Sequence, residues 1–217
     1  MTTVALKFLL FGTLFCCLLS CYNTPYPDEV AKTSKIADTT ASELSLPSLP
    51  VWRQFFIDYP NYQSDGFDYP VGKPNAKGYY NAQPYGENAH LGDDWNAVTG
   101  GNSDLGHPMY SIANGYVTFA EDVGGGWGNV VRIVHQLNDS TYVESLYAHC
   151  DTIIVDAHQG VKRGDLIATI GNANGAYYAH LHFEMRDSID MPIGGGYGME
   201  TDGYIDPTPF IKNNRPQ

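Results

Sequence analysis

Two short stretches of this chain concentrate side chains that bind metals and move protons. The first is His90-Leu91-Gly92-Asp93-Asp94 and the second is His180-Leu181-His182-Phe183-Glu184. In an extended strand, residues two apart share a face. His180 and His182 therefore point together, while Leu181 and Phe183 point into a core. His90 and Asp94 are four apart and also share a face. Gly92 between them permits a bend that brings imidazole and carboxylate together. Asp93 faces the other way and is the weaker ligand candidate. An imidazole–carboxylate pair suits zinc. His90, Asp94 and one histidine of the His180/His182 pair supply three ligands, and catalytic zinc usually keeps a fourth position open. His149, which closes the run Tyr147-Ala148-His149, adds another imidazole that titrates near neutral pH. His107, His135 and His158 have no comparable pattern around them and read as surface or structural residues.

Stepping outward, the elements that must position these groups are strands. Alternating or apolar runs over 109–112, 116–120, 130–135, 142–149, 166–170 and 180–185 lie between dense turn signals. That spacing predicts an all-β domain, mainly antiparallel, with few short helices. Leu137-Asn138-Asp139-Ser140 reads as a hairpin connection. Asp206-Pro207 reads as a helix start, with Asp as the N-cap and Pro in the first position. Gly124–Asn129 is a loop without the strand–helix context of a phosphate-binding turn.

The chain has 217 residues, 43% apolar and 17% charged, which supports one packed domain of ordinary size. A formal net charge of −12 repels phosphate backbones and excludes nucleic acid as a natural partner. The first 20 residues carry one charge, Lys7, and an apolar or small stretch from Phe8 to Leu19. Twelve residues are too few to span a bilayer, which takes roughly 20, but they suit a signal-peptide core. That core ends at Leu18-Leu19-Ser20-Cys21, which resembles a bacterial lipobox. Expected are a signal peptide over 1–20, acylation of Cys21 and a flexible tether over 21–50 rich in Pro, Ser, Thr and Ala. A catalytic domain is expected over 51–214. After removal of the leader and acylation of Cys21, Cys150 is left as a free thiol and reads as a buried small residue.

The motifs, in this order, resemble the lysostaphin/LytM family of zinc metallopeptidases. The resemblance rests on the HxGxD segment at His90, Gly92 and Asp94, the YAH segment at 147–149 and the HLHFE segment at 180–184. The stretches GHPMYSIANGYVTFA, GWGNVVRIVH and VKRGDLIATIGNANG between them are similar to the family's as well, so the likeness covers about residues 86–186. It implies an antiparallel sheet with an open groove, one Zn²⁺ held by His90, Asp94 and His182, and two active-site histidines, His149 and His180, that do not ligate. It also implies hydrolysis of peptide cross-links in peptidoglycan by a monomer in the cell envelope. With the lipid on Cys21, that place is the periplasmic face of the outer membrane if the cell is Gram-negative. Tyr85, five residues before His90, is a candidate phenolic donor to the transition state, and Glu184, on the face of His182, a candidate support for that ligand.

A second class stays open. Relatives of this fold that have lost the zinc site act as binding or activating modules for other wall hydrolases. All five positions are occupied here, which favours the enzyme. A cupin-type barrel also uses His-x-His, but it needs a later carboxylate and histidine that this chain lacks. The segment Trp95–Gly106 is a longer and more polar loop than the family resemblance predicts, and is expected to shape one wall of the groove.

Overall fold

The computed structural model describes residues 48–138 and 141–216. The leader, Cys21, the tether up to residue 47 and the Asp139-Ser140 part of the hairpin connection lie outside them. The described residues fall in the unit Leu46–Gln217.

Among the described residues ten strands form one sheet, and every pairing in it is antiparallel. They are β1 (Tyr79–Gln83), β2 (Asp93–Ala97), β3 (Pro108–Tyr110), β4 (Gly115–Asp122), β5 (Asn129–Gln136), β6 (Tyr142–Ile153), β7 (Gly160–Val161), β8 (Leu166–Ile170), β9 (Leu181–Arg186) and β10 (Tyr204–Ile205). The main path runs β1-β2-β9-β6-β5-β4-β7, with β10 on β9 and β8 joining β6 to β3. The predicted strands all appear, with ends shifted by a few residues.

β9 is central, and all six of its residues are buried. Leu181, Phe183 and Met185 enter the main core with Val131, Ile133, Val143, Tyr147 and Ile167. Burying side chains of this size stabilises the fold by about 1.5–3 kcal/mol each. The alternate residues His182, Glu184 and Arg186 occupy the opposite face, where Val130, Leu146 and Ala148 form a smaller cluster against Trp127.

Two α-helices are present among the described residues. α2 (Pro207–Asn213) starts where Asp206-Pro207 predicts, although the Asp206 side chain makes no capping hydrogen bond. Pro207 fixes the first turn by its backbone angle instead. α1 (Val51–Asp58) has no counterpart in the sequence reading. It exists because Trp52 and Phe56 bury an apolar stripe against Tyr116 and Val134. Trp95 and Ala97 belong to β2 and are buried, so the polar loop begins later than its sequence predicts, at Val98.

Candidate metal centre and active-site cleft

The sheet register assembles the site. Asp94 on β2 sits opposite His182 on β9, and Ala148 on β6 sits opposite the same His182 from the other side. Directly opposed residues in antiparallel strands project to one face. His90 precedes β2 and is held by a bridge to Tyr197. Gly92 brings β2 close to β9, since a β-carbon there would lie 2.5 Å from the Phe183 carbonyl oxygen. Its role is close approach as well as the bend its sequence predicts.

His149 follows Ala148 and in a regular strand would turn to the far face. Instead it has φ +61°, at the point where β6 leaves β9 and takes β8 as its partner. A left-handed non-glycine residue is strained. Here that conformation brings its ring to 4.7 Å from that of His180 and 5.7 Å from that of His182.

Three ligand-type atoms converge. His182 Nδ1 lies 3.0 Å from Asp94 Oδ1 and 3.0 Å from His90 Nε2, and His90 Nε2 lies 3.3 Å from Asp94 Oδ1. The other ring nitrogen of each imidazole faces an oxygen that only accepts. His90 Nδ1–H donates to the Gln83 carbonyl at 3.1 Å, and His182 Nε2–H donates to Glu184 Oε1 at 3.0 Å. His90 Nε2, His182 Nδ1 and Asp94 Oδ1 therefore face one point as three ligand-type atoms. His90 and His182 are buried and Asp94 half-buried. Such a donor set could hold a cation, and two imidazoles plus a carboxylate fit Zn²⁺.

The two carboxylates here favour positive charge at this point. Burial opposes charge on His182, but Asp94 and Glu184 outweigh it and raise the imidazole to about 9. Burial acts on Asp94 too, yet the hydrogen bonds with His182 and His90 hold its carboxyl far below the usual range. His149 is pushed down to about 3, first by burial and then by His180 and His182.

His149 and His180 have one hydrogen-bond habit. His149 Nδ1–H donates to the Trp127 carbonyl at 3.3 Å, and His180 Nδ1–H to the Tyr178 carbonyl at 2.8 Å. Each leaves a bare Nε2, that of His180 lying 3.8 Å from Asp94 Oδ1. A cleft of about 460 Å³ opens beside Asp94, His149, His180 and His182. Its walls include Trp127, Tyr177, Gly195, Gly196 and Tyr197, none of which the sequence motifs single out. Tyr85 is not among the lining residues; its backbone N–H is bound by Asp93 Oδ1. Asp93 faces away from the site, as expected, and also accepts from Thr208. Asn102 of the 98–106 loop lines a second hollow that shares Tyr177 and His180 with the cleft.

The remaining histidines have structural partners. His135 is fully buried between the Asn114 carbonyl and Ser145, His158 bonds Tyr116, and His107 bonds Tyr79. Cys150 is buried and free, its thiol pushed up to about 12 by burial.

An antiparallel sheet with few helices and this order of motifs is the framework of a peptidase family. The chain belongs to peptidase family M23, whose model matches residues 89–194. The lipoprotein NlpD of Yersinia enterocolitica is 43% identical over 81 residues, 37% of this chain and 78% of that protein. The murein hydrolase activator NlpD of Escherichia coli is 38% identical over 100 residues, 43% of this chain but only 25% of that protein. Among solved structures, a zinc-containing peptidase from Vibrio cholerae shares 30% identity with a TM-score of 0.41, over 55% of this chain and 36% of that one.

Proposed function

We propose that the protein is a zinc-dependent endopeptidase that hydrolyses peptide cross-links of peptidoglycan. The observation that carries this reading is the convergence of three ligand-type atoms, from His90, Asp94 and His182, beside two further histidines in an open cleft. Zinc held there would supply Lewis-acid polarisation of the scissile carbonyl and a nucleophile at neutral pH. The chain's own residues do the rest. His149 Nε2 and His180 Nε2 are the acceptors for the nucleophile's proton, and the ring that takes it returns it to the leaving amine. In these tautomers neither ring presents an N–H to the cleft. The developing oxyanion therefore falls to the phenol of Tyr177 rather than to Tyr85 or the second histidine, since the Tyr197 hydroxyl donates to Gln83. The constellation lacks the paired carboxylates of a glycosidase.

Attachment to the envelope through acylated Cys21 is part of the same reading, and mass spectrometry of the mature N-terminus tests it. Digestion of purified walls tests the activity. Cross-linked dimers should fall and monomers rise while glycan length stays constant. Shortened glycan, or unchanged walls with zinc-loaded protein, would overturn it.

The name of the Escherichia coli relative supports a second reading, in which the domain activates another wall hydrolase. The two separate in an Asp94→Ala variant. Activation of an added hydrolase that survives this change supports the activator, and wall cleavage that disappears with it supports the enzyme.

A further inference from the structure

Behind His182 lies a group of buried charges that neither the ligand set nor the cleft accounts for. On the site face of the sheet, Arg132 on β5, Leu146 on β6 and Glu184 on β9 form one row, and Val134, Glu144 and Arg186 form the next. Glu184 and Arg186 are wholly buried, as is Glu144. Glu184 divides its oxygens: Oε1 accepts from His182 Nε2–H at 3.0 Å, and Oε2 accepts from Arg186 Nε–H at 2.8 Å and from its Nη2–H. The same guanidinium donates to the carbonyls of Pro192 and Ile193. Those residues lead directly into Gly194–Gly196, where Trp127 Nε1–H holds the Gly194 carbonyl and the Gly196 carbonyl accepts from Leu91 N–H, beside His90.

From this geometry we infer that Arg186 is a positioning residue for the metal site, acting on it through two arms. Through Glu184 it fixes the ring of His182 so that Nδ1 faces Asp94 and His90. Through the carbonyls of Pro192 and Ile193 it fixes the segment that forms the cleft wall. A carboxylate buried beside an imidazole alone would be poorly compensated, and the planar fork of Arg186 satisfies Glu184 while keeping its second oxygen free for the ring. Lysine lacks that fork and cannot serve both arms. The inference rests on His182 being a metal ligand, but not on any peptide being cut.

Zinc affinity, measured by competition with a chromogenic chelator, and the visible spectrum of the cobalt-substituted protein test it. Arg186→Lys and Glu184→Gln are compared with Arg132→Lys. Arg132 lies on the same face, and its hydrogen bonds go to Glu144 and the Met191 carbonyl rather than to Glu184. Expected is a 10–100-fold loss of zinc affinity and an altered cobalt spectrum in the first two variants, the usual range for a ligand's supporting partner. Arg132→Lys, destabilised in the same sheet, should keep both properties unchanged. If Arg186→Lys does not fold, Glu184→Gln, which keeps the size of the side chain and an acceptor for His182, decides alone. Unchanged affinity and spectrum in the folded variants, or equal losses in Arg132→Lys, would overturn the inference and leave the metal site standing. An unaltered protein that binds no zinc would overturn the metal site and the inference together.

Discussion

The carbonyl oxygen of His149 packs against the α-carbon of Gly171, so closely that a β-carbon built there would lie 2.3 Å from it. The space that glycine leaves is what lets His149 hold φ +61° and turn back to the face of His182. Gly171→Ala should displace the His149 backbone while leaving His90, Asp94 and His182 in place. Turnover on wall fragments should fall about 100-fold, the cost of misplacing a reacting group by roughly an ångström. Zinc content should stay at the unaltered level, and thermal unfolding should report an overpacking cost of about 1–3 kcal/mol.

His149→Ala removes the imidazole without touching the converging ligand atoms. Metal analysis should return the same zinc content as the unaltered protein. Single-turnover hydrolysis should slow by about 10²–10⁴-fold, the span of a general acid–base group. Loss of zinc in this variant would make His149 a ligand instead.

Asp94→Ala and His182→Ala should each abolish stoichiometric zinc binding. In the unaltered protein, excess zinc should raise the melting temperature in proportion to the logarithm of its concentration, because the metal binds only the folded site. The same titration should leave both variants unmoved, and a chelator should reverse the shift.

His135 gives a pH signature far from the cleft. Burial lowers it to about 4, partly offset by its bond to the Asn114 carbonyl. An unfolded chain, with its histidine near 6.5, then binds the extra proton between these values. The stability that His135 contributes by staying neutral is complete above about 6.5 and is lost as pH falls towards 4. The loss amounts to about 3 kcal/mol. Denaturant unfolding at steps from pH 7 to 4 should show this slope, and His135→Gln, though less stable at pH 7, should flatten it.

Strands were legible in the sequence where an apolar run lay between turn signals, as at Val130–Val134, or where apolar residues alternated, as at Leu181–Met185. The alternating run has only one way to bury its apolar half, and the continuous run is buried on both faces. The candidate ligands were legible because their short-range spacing already gives a shared face. The tyrosines of the cleft were not. Tyr177 and Tyr197 belong to loops whose course is set by distant contacts, such as the hydrogen bond from Tyr197 to Gln83 across the sheet. α1 escaped for a related reason, since its aromatic stripe gains meaning only from Tyr116 and Val134. The turn at His149 left only an indirect trace in the sequence, because the glycine that permits it lies 22 residues further along the chain.

The alternation of β9 also acts as a check on assembly. Slipping that strand by one residue against its neighbours would send Leu181, Phe183 and Met185 out of the core and His182, Glu184 and Arg186 into it. The slipped sheet would lose its apolar packing and bury two charges among hydrocarbons. A mis-registered molecule with a wrongly built metal centre is therefore not a persistent rival, because the penalty falls on folding itself. The oily half of the strand proofreads the chemical half.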